Sequence, residues 1–232
     1  YGQLRLWGSV GFVLVAVSAG KALGEDRIDL FPWVLAGTLA VLAVTCQPFE
    51  RTARPIHRTR DGRLPGAVWI LLAILTLHQV SHGPYYAFFS IHLRSAGFGT
   101  ASVAALWSLG VVAVLVAFRA GRWMEDRHGL IRLLSIALAL TPLRWLLLAL
   151  PPTLPTLVLA QVGHAASFAV AHLAGVQLIQ RMVPAGSARR AQALYSGCAF
   201  GLGIVVGTAL AGPVYTWFSG SGSFAVAAVF SL

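Results

Sequence analysis

Stretches of about 20 mostly apolar residues recur along the whole chain, separated by short clusters of arginine, proline and glycine. A helix needs about 20 such residues to cross roughly 30 Å of hydrocarbon, because its backbone groups must all be satisfied internally there. On that measure seven spans are predicted at 5–23, 28–46, 66–92, 100–119, 130–150, 154–180 and 190–217, with a partial eighth from 222 to the end. The last run is too short to cross, and the first residue is Tyr1 rather than Met, so the sequence reads as a fragment cut at both ends. The predicted class is all-α: a polytopic transmembrane helical bundle.

Charge fixes the orientation. Arg5; Arg51, Arg54, Arg58, Arg60 and Arg63; Arg119, Arg122, Arg127 and Arg132; and Arg181, Arg189 and Arg190 lie on alternate connections, thirteen of the 17 basic residues. The opposite face has Lys21, Arg27 and Arg94. Cytoplasmic loops are the ones enriched in Lys and Arg, so the thirteen-residue face is cytoplasmic. The net charge of +10 then reflects topology and contact with anionic lipid rather than nucleic acid. With 57% apolar and 10% charged residues, the chain has too little polar surface for a soluble globule. Cys46 and Cys198 lie in or at the end of apolar runs, without metal-like spacing, and read as packing residues.

Segment 47–65 is the longest and most basic connection and holds Pro48, Pro55 and Pro65. It is expected to be a cytoplasmic linker between 1–46, which holds two helices, and 66–232, which holds six, the last of them truncated. The short remaining loops make antiparallel neighbours. Glycine pairs four apart, Gly20 and Gly24, Gly197 and Gly201, and Gly203 and Gly207, are read as close helix contacts.

The seven carboxylates fall between the apolar runs or at their edges, whereas five of the seven histidines lie within the runs. Buried polar work is therefore assigned to histidine. His78, His82, Tyr85, Tyr86 and His92 share one run that Gly83 and Pro84 interrupt; His78 and His82, four apart, share a face. A broken, polar membrane helix is expected to line a wet cavity. Hydrogen bonding between helices is the alternative for His78 and His82, and His92 is expected near the outer interface. Gln161, His164, Phe168 and His172, spaced three, four and four, form one polar and aromatic stripe. Arg144, followed by Trp145, is the one basic residue inside a run. It is expected to snorkel to the outer interface, the alternative being a pair with a substrate carboxylate. In GRWMEDRHGLIR, residues 121–132, Asp126, Arg127 and Gly129 make a D-R-x-G turn expected to tie helices together at the cytoplasmic side.

The two-helix, basic-linker, six-helix order resembles the last eight of the twelve helices of a major facilitator superfamily transporter. YGQLRLWGSVGF at 1–12, SHGPYYAFFSIHL at 81–93, LWSLGVVA at 106–113, LRW at 143–145 and GHAASFAVAHLAGVQLIQ at 163–180 resemble its phenylpropionate permease group, related to nucleoside and oligosaccharide proton symporters. The resemblance covers the whole chain. It implies that the runs at 66–92 and 154–180 are helices seven and ten, facing a central cavity, and that Arg144 is on the usually peripheral helix nine. Two positions depart from the pattern: Val114 stands where the group has a glutamate after GVVA, and Arg122 where the D-R-x-G turn begins with glycine.

The resemblance implies a multi-pass transporter of a bacterial inner membrane, with no cofactor, working with the missing N-terminal helices of the same protein. Small solute and protons would be exchanged by alternating access; an aromatic carboxylate such as 3-phenylpropionate is expected, a sugar or nucleoside being the alternative. Histidine, with a pKa near 6.5, suits a protonation switch, and His164 and His82 are the expected contacts for proton or substrate. A membrane metalloenzyme built on the HxxxH of His78 and His82 is a further reading, as is a non-transporting sensor of the same fold.

Overall fold

The computed structural model describes Gly11, residues 28–50 and residues 63–231. The chain divides into two compact units, Tyr1–Arg60 and Asp61–Leu232. The span predicted at 5–23, with Gly20 and Gly24, and the linker residues 51–62 lie outside the described residues. In the first unit a 3-10 turn, Ile28–Leu30, leads into helix α1, Phe31–Glu50. Side chains 31–47 are exposed and nearly all apolar, as suits a helix facing hydrocarbon or other helices.

The second unit is entirely helical over its described residues. Helices α2, Gly66–Val80, and α3, Gly83–Ser95, form one span broken at Ser81 and His82. Pro84, in the first turn of α3, has no N–H to give the Val80 carbonyl four residues back, so the first helix stops and a second starts. Helix α4, Thr100–His128, follows a turn at Gly97 (φ 89°) and ends at Gly129 (φ 74°), both in the left-handed region that favours glycine. Helix α5 is Leu130–Ala149. Helix α6, Leu154–His164, is capped by Thr153, whose hydroxyl accepts from the Thr156 amide while Thr156 reciprocates. It passes through a π-helical segment, Ala165–Val170, into α7, Ala171–Met182. Helix α8, Ala188–Tyr195, passes through a second π-helical segment, Ser196–Gly203, into α9, Ile204–Phe230, which breaks at Ser219.

Five stretches among the described residues are long and apolar enough to cross a membrane: Gly66–Ser95, Thr100–His128, Leu130–Ala149, Leu154–Met182 and Ala185–Phe230. Their outward faces present Ile70, Leu77, Val112, Val116, Leu143, Leu146 and Val205, all exposed, as lipid contact requires. The interior has layers. One apolar cluster, around Leu72, Leu75, Leu133, Ala137, Ile179 and Tyr195, fills the arginine-rich end. Another, around Tyr85, Phe89, Leu106, Trp145, Leu157 and Phe224, fills the opposite end. Between them in sequence, and near mid-span, lie the buried polar residues His78, Gln79, Ser81, His82, Thr141, Arg144, Gln161, His164 and Ser167.

Two close backbone crossings fix this arrangement. A β-carbon on Gly203 would sit 3.0 Å from the Thr76 carbonyl oxygen, and one on Gly207 would sit 2.4 Å from the Val80 oxygen. The predicted Gly203 and Gly207 pair is thus where the end of the second π-helical segment and the start of α9 cross α2. A β-carbon on Gly197 would meet nothing within 4 Å, so that glycine packs against no neighbour.

Candidate functional site

The polar layer is assembled by the break between α2 and α3. There the Ser81 hydroxyl donates to the His78 carbonyl at 2.7 Å and accepts from Trp145 Nε1 at 3.3 Å, which pins α5 to the break. His82, fully buried, has Nδ1 2.9 Å from the same His78 carbonyl. A carbonyl can only accept, so the proton is on Nδ1 and the neutral ring has a bare lone pair at Nε2. That Nε2 is buried with no partner among the described residues. Rings surround the His82 imidazole, centroid to centroid: Trp145 edge-on at 4.8 Å, His78 at 4.7 Å, Phe168 at 5.9 Å, His164 at 6.0 Å and Tyr86 at 6.1 Å.

His78 has a structural tie. The Thr141 hydroxyl donates to the Ala137 carbonyl at 2.8 Å, so His78 Nε2, 3.2 Å away, donates to it and joins α2 to α5. Gln161 is another joint: its Nε2 donates to the Leu106 carbonyl at 2.7 Å and its Oε1 accepts from the Tyr85 hydroxyl at 3.1 Å. It holds α3, α4 and α6 together and fixes Tyr85 in place.

The predicted stripe is a column of rings. His164 stacks on Phe168 at 4.9 Å, and Phe168 lies nearly parallel to His172 at 6.3 Å. The π-helical turn that begins just after His164 widens the helix there; such turns recur at functional sites. The column divides by environment. His164 Nδ1 is buried without a partner in the polar layer, whereas His172 Nδ1 lies 2.8 Å from the Tyr195 hydroxyl, towards the arginine-rich end. Tyr86 and Phe168, only partly buried, form the exposed rim of the layer.

Arg144 overturns its expectation. Instead of snorkelling it is 2% exposed, and Trp145 is wholly buried. The guanidinium lies 4.3 Å from the Tyr85 ring centroid and 4.4 Å from that of Trp145, and its Nε donates to the Ala160 carbonyl at 2.9 Å. Cation–π contact and one carbonyl can hold an arginine that the sequence places about a turn and a half from the helix end. Nη1 and Nη2 have no partner among the described residues. Sequence reasoning found this residue but not its direction, and it missed Gln79 and Ser167, whose Nε2 and Oγ are also buried without partners. Five of the residues with orphaned buried polar atoms, Gln79, His82, Arg144, His164 and Ser167, therefore belong to one layer.

His92, expected near the outer interface, is 6% exposed and packs between Gly220 and the Phe224 ring, 5.4 Å away. At the arginine-rich end Asp126 and Arg127 lie exposed in the last turn of α4, and Gly129 forms the turn into α5. The acid that reaches across is Glu125, which pairs with Arg181 of α7. No group of three or more His, Cys, Asp or Glu is placed to hold a metal among the described residues.

The model of the MFS_1 like family matches residues 1–226. A protein of Escherichia coli (strain K12) described as a probable 3-phenylpropionic acid transporter is 32% identical over 243 aligned residues, covering 100% of this chain and 63% of its own length. The maltose permease of Geobacillus stearothermophilus is 30% identical, covering 88% of this chain and 53% of its own length. An uncharacterized transporter of Bacillus subtilis (strain 168), YwbF, is 21% identical over 94% of this chain and 56% of its own length. The chain thus spans between about half and under two thirds of these relatives. No solved structure matches it.

Proposed function

This chain belongs to the MFS_1 like family, and from that premise we propose that the protein is a secondary transporter moving a small aromatic carboxylate, of the 3-phenylpropionate kind, together with a proton. The observation that carries this reading is the buried polar layer, where unpaired hydrogen-bonding atoms of Gln79, His82, Arg144, His164 and Ser167 gather near mid-span between two apolar clusters. Polar groups at membrane depth are costly unless they are paired, wet or used, and a site at this depth is what alternating access requires.

In this reading 66–232 is the C-terminal six-helix half of a major facilitator fold and 1–46 holds the last two helices of the other half, joined by the linker 47–65. Further helices of the same protein close the cavity from the opposite side, in a bacterial inner membrane. The Tyr86 and Phe168 rings receive the aromatic part of the solute, His82 Nε2 and His164 take up the proton, and His172 with Tyr195 lines the path towards the cytoplasm. The turn of Asp126, Arg127 and Gly129, beside the Glu125 pair with Arg181, acts as the cytoplasmic gate.

Uptake of labelled 3-phenylpropionate by cells expressing the protein, with and without a proton uncoupler, tests the proposal. Uncoupler-sensitive accumulation is expected; no accumulation with the protein shown to be in the membrane rules out this substrate class. The similarity to a maltose permease favours a neutral sugar as the second reading, and uptake of labelled maltose in the same cells would support it.

A further inference from the structure

The geometry points to Arg144 as the residue that receives the carboxylate of the transported acid, an assignment that rests on the aromatic-acid reading above. Three observations converge on it. The guanidinium is buried, and its Nε–H is spent on the Ala160 carbonyl. The rings of Tyr85 and Trp145 flank it, so its remaining directional capacity is the edge formed by Nη1 and Nη2. That edge has no partner among the described residues.

No anion for it is supplied by the described residues of this unit. These contain two acids, Glu125 and Asp126, both at the arginine-rich end of α4. Glu125 is committed to Arg181 and Asp126 is exposed. A buried cation without a counter-charge is strongly disfavoured, and a ligand that brings one negative charge removes that penalty while it binds.

The shape of the free edge selects the ligand. Two parallel N–H donors match the two oxygens of a carboxylate, a pairing that supplies both strength and direction. Arg144 is the one arginine or lysine in the buried polar layer of the described residues, so its single charge suits a monoanion rather than a phosphate dianion. The groups in contact with it are aromatic or neutral: the Tyr85 ring on α3, the Trp145 ring on α5 and the Ala160 carbonyl on α6, with His164 beside that Tyr85 ring and His82 beside that Trp145 ring. An aromatic monocarboxylate therefore has its charge read by Arg144 and its ring placed towards the partly exposed Tyr86 and Phe168.

The test is calorimetric binding to the purified full-length protein at pH 7.5, comparing 3-phenylpropionate with its neutral isostere 3-phenylpropionamide. The wild type is expected to favour the acid by about 30-fold or more, the range for a buried charge pair. Arg144→Gln should bring the acid-to-amide ratio close to one while amide binding persists, which a purely structural role would not do. Arg144→Lys, which keeps the charge but loses the two-pronged edge, serves as the second variant and should lower the ratio by about fivefold or more. A ratio undiminished in either variant, or near one in the wild type, overturns the assignment. Wild type that binds neither compound overturns the aromatic-acid reading itself, and this assignment with it.

Discussion

Gly83 and Gly207 meet backbone to backbone: a β-carbon on Gly83 would lie 2.1 Å from the carbonyl carbon of Gly207. Gly83 stands at the start of α3, beside the break that aims His82 into the polar layer, so this crossing of α9 supports the site from behind. The same Gly207 lies against the Val80 carbonyl, which Pro84 leaves without its helical partner. Gly83→Ala or Gly207→Ala has no flexible side chain to displace and must move backbone. A loss of about 1–3 kcal/mol is expected, the usual cost of overpacking. Thermal unfolding of the detergent-solubilised protein measures it; an unchanged midpoint would show that the crossing is looser than described. Gly197→Ala, which meets nothing, is the control and should be neutral.

Gln161 satisfies two buried partners at once, the Tyr85 hydroxyl and the Leu106 carbonyl. Gln161→Leu strands the Tyr85 hydroxyl and removes the side-chain partner of the Leu106 carbonyl, which keeps its helical bond within α4; leaving a buried polar group unpaired costs about 1–3 kcal/mol. Tyr85→Phe strands only Gln161 Oε1 and should cost less. The same unfolding assay orders the two variants; the reverse order would mean that Gln161 is not the joint between α3, α4 and α6.

His82 offers one position for an arriving proton, because its Nδ1–H is engaged by the His78 carbonyl. If that Nε2 carries the coupling proton, His82→Gln keeps a polar side chain but cannot be charged. Exchange of labelled for unlabelled solute across the membrane should persist, while uncoupler-sensitive accumulation falls to the level set by equilibration. Accumulation that survives intact in this variant would move the proton site to His164 or elsewhere.

Ser219 has φ 64° and ψ −175°, a conformation tolerated almost only by glycine. It breaks α9 and is itself exposed, so little contact is lost on substitution. Ser219→Gly should relieve the strain and raise stability by about 1 kcal/mol, even though glycine is freer when unfolded. A drop in the unfolding midpoint would indicate that the Ser219 side chain contributes more than its backbone costs.

The sequence alone located the apolar stretches of the second unit and their order, except that the runs read at 190–217 and from 222 onward lie in one stretch, Ala185–Phe230, broken at Ser219. Hydrophobic length and arginine placement are one-dimensional properties that each segment satisfies by itself in lipid. The break just ahead of Gly83 and Pro84 and the shared face of His164, Phe168 and His172 were also legible, because proline chemistry and helical spacing are local. Tertiary structure decided which faces meet. Whether Arg144 reaches outward or inward depends on the Ala160 carbonyl from α6 and the Tyr85 ring from α3, neither of which is near it in sequence. Whether Asp126 or Glu125 spans the arginine-rich end depends on where α7 brings Arg181. Depth along a helix follows from composition; direction around it, for one polar residue among apolar ones, is set by the partner another helix supplies.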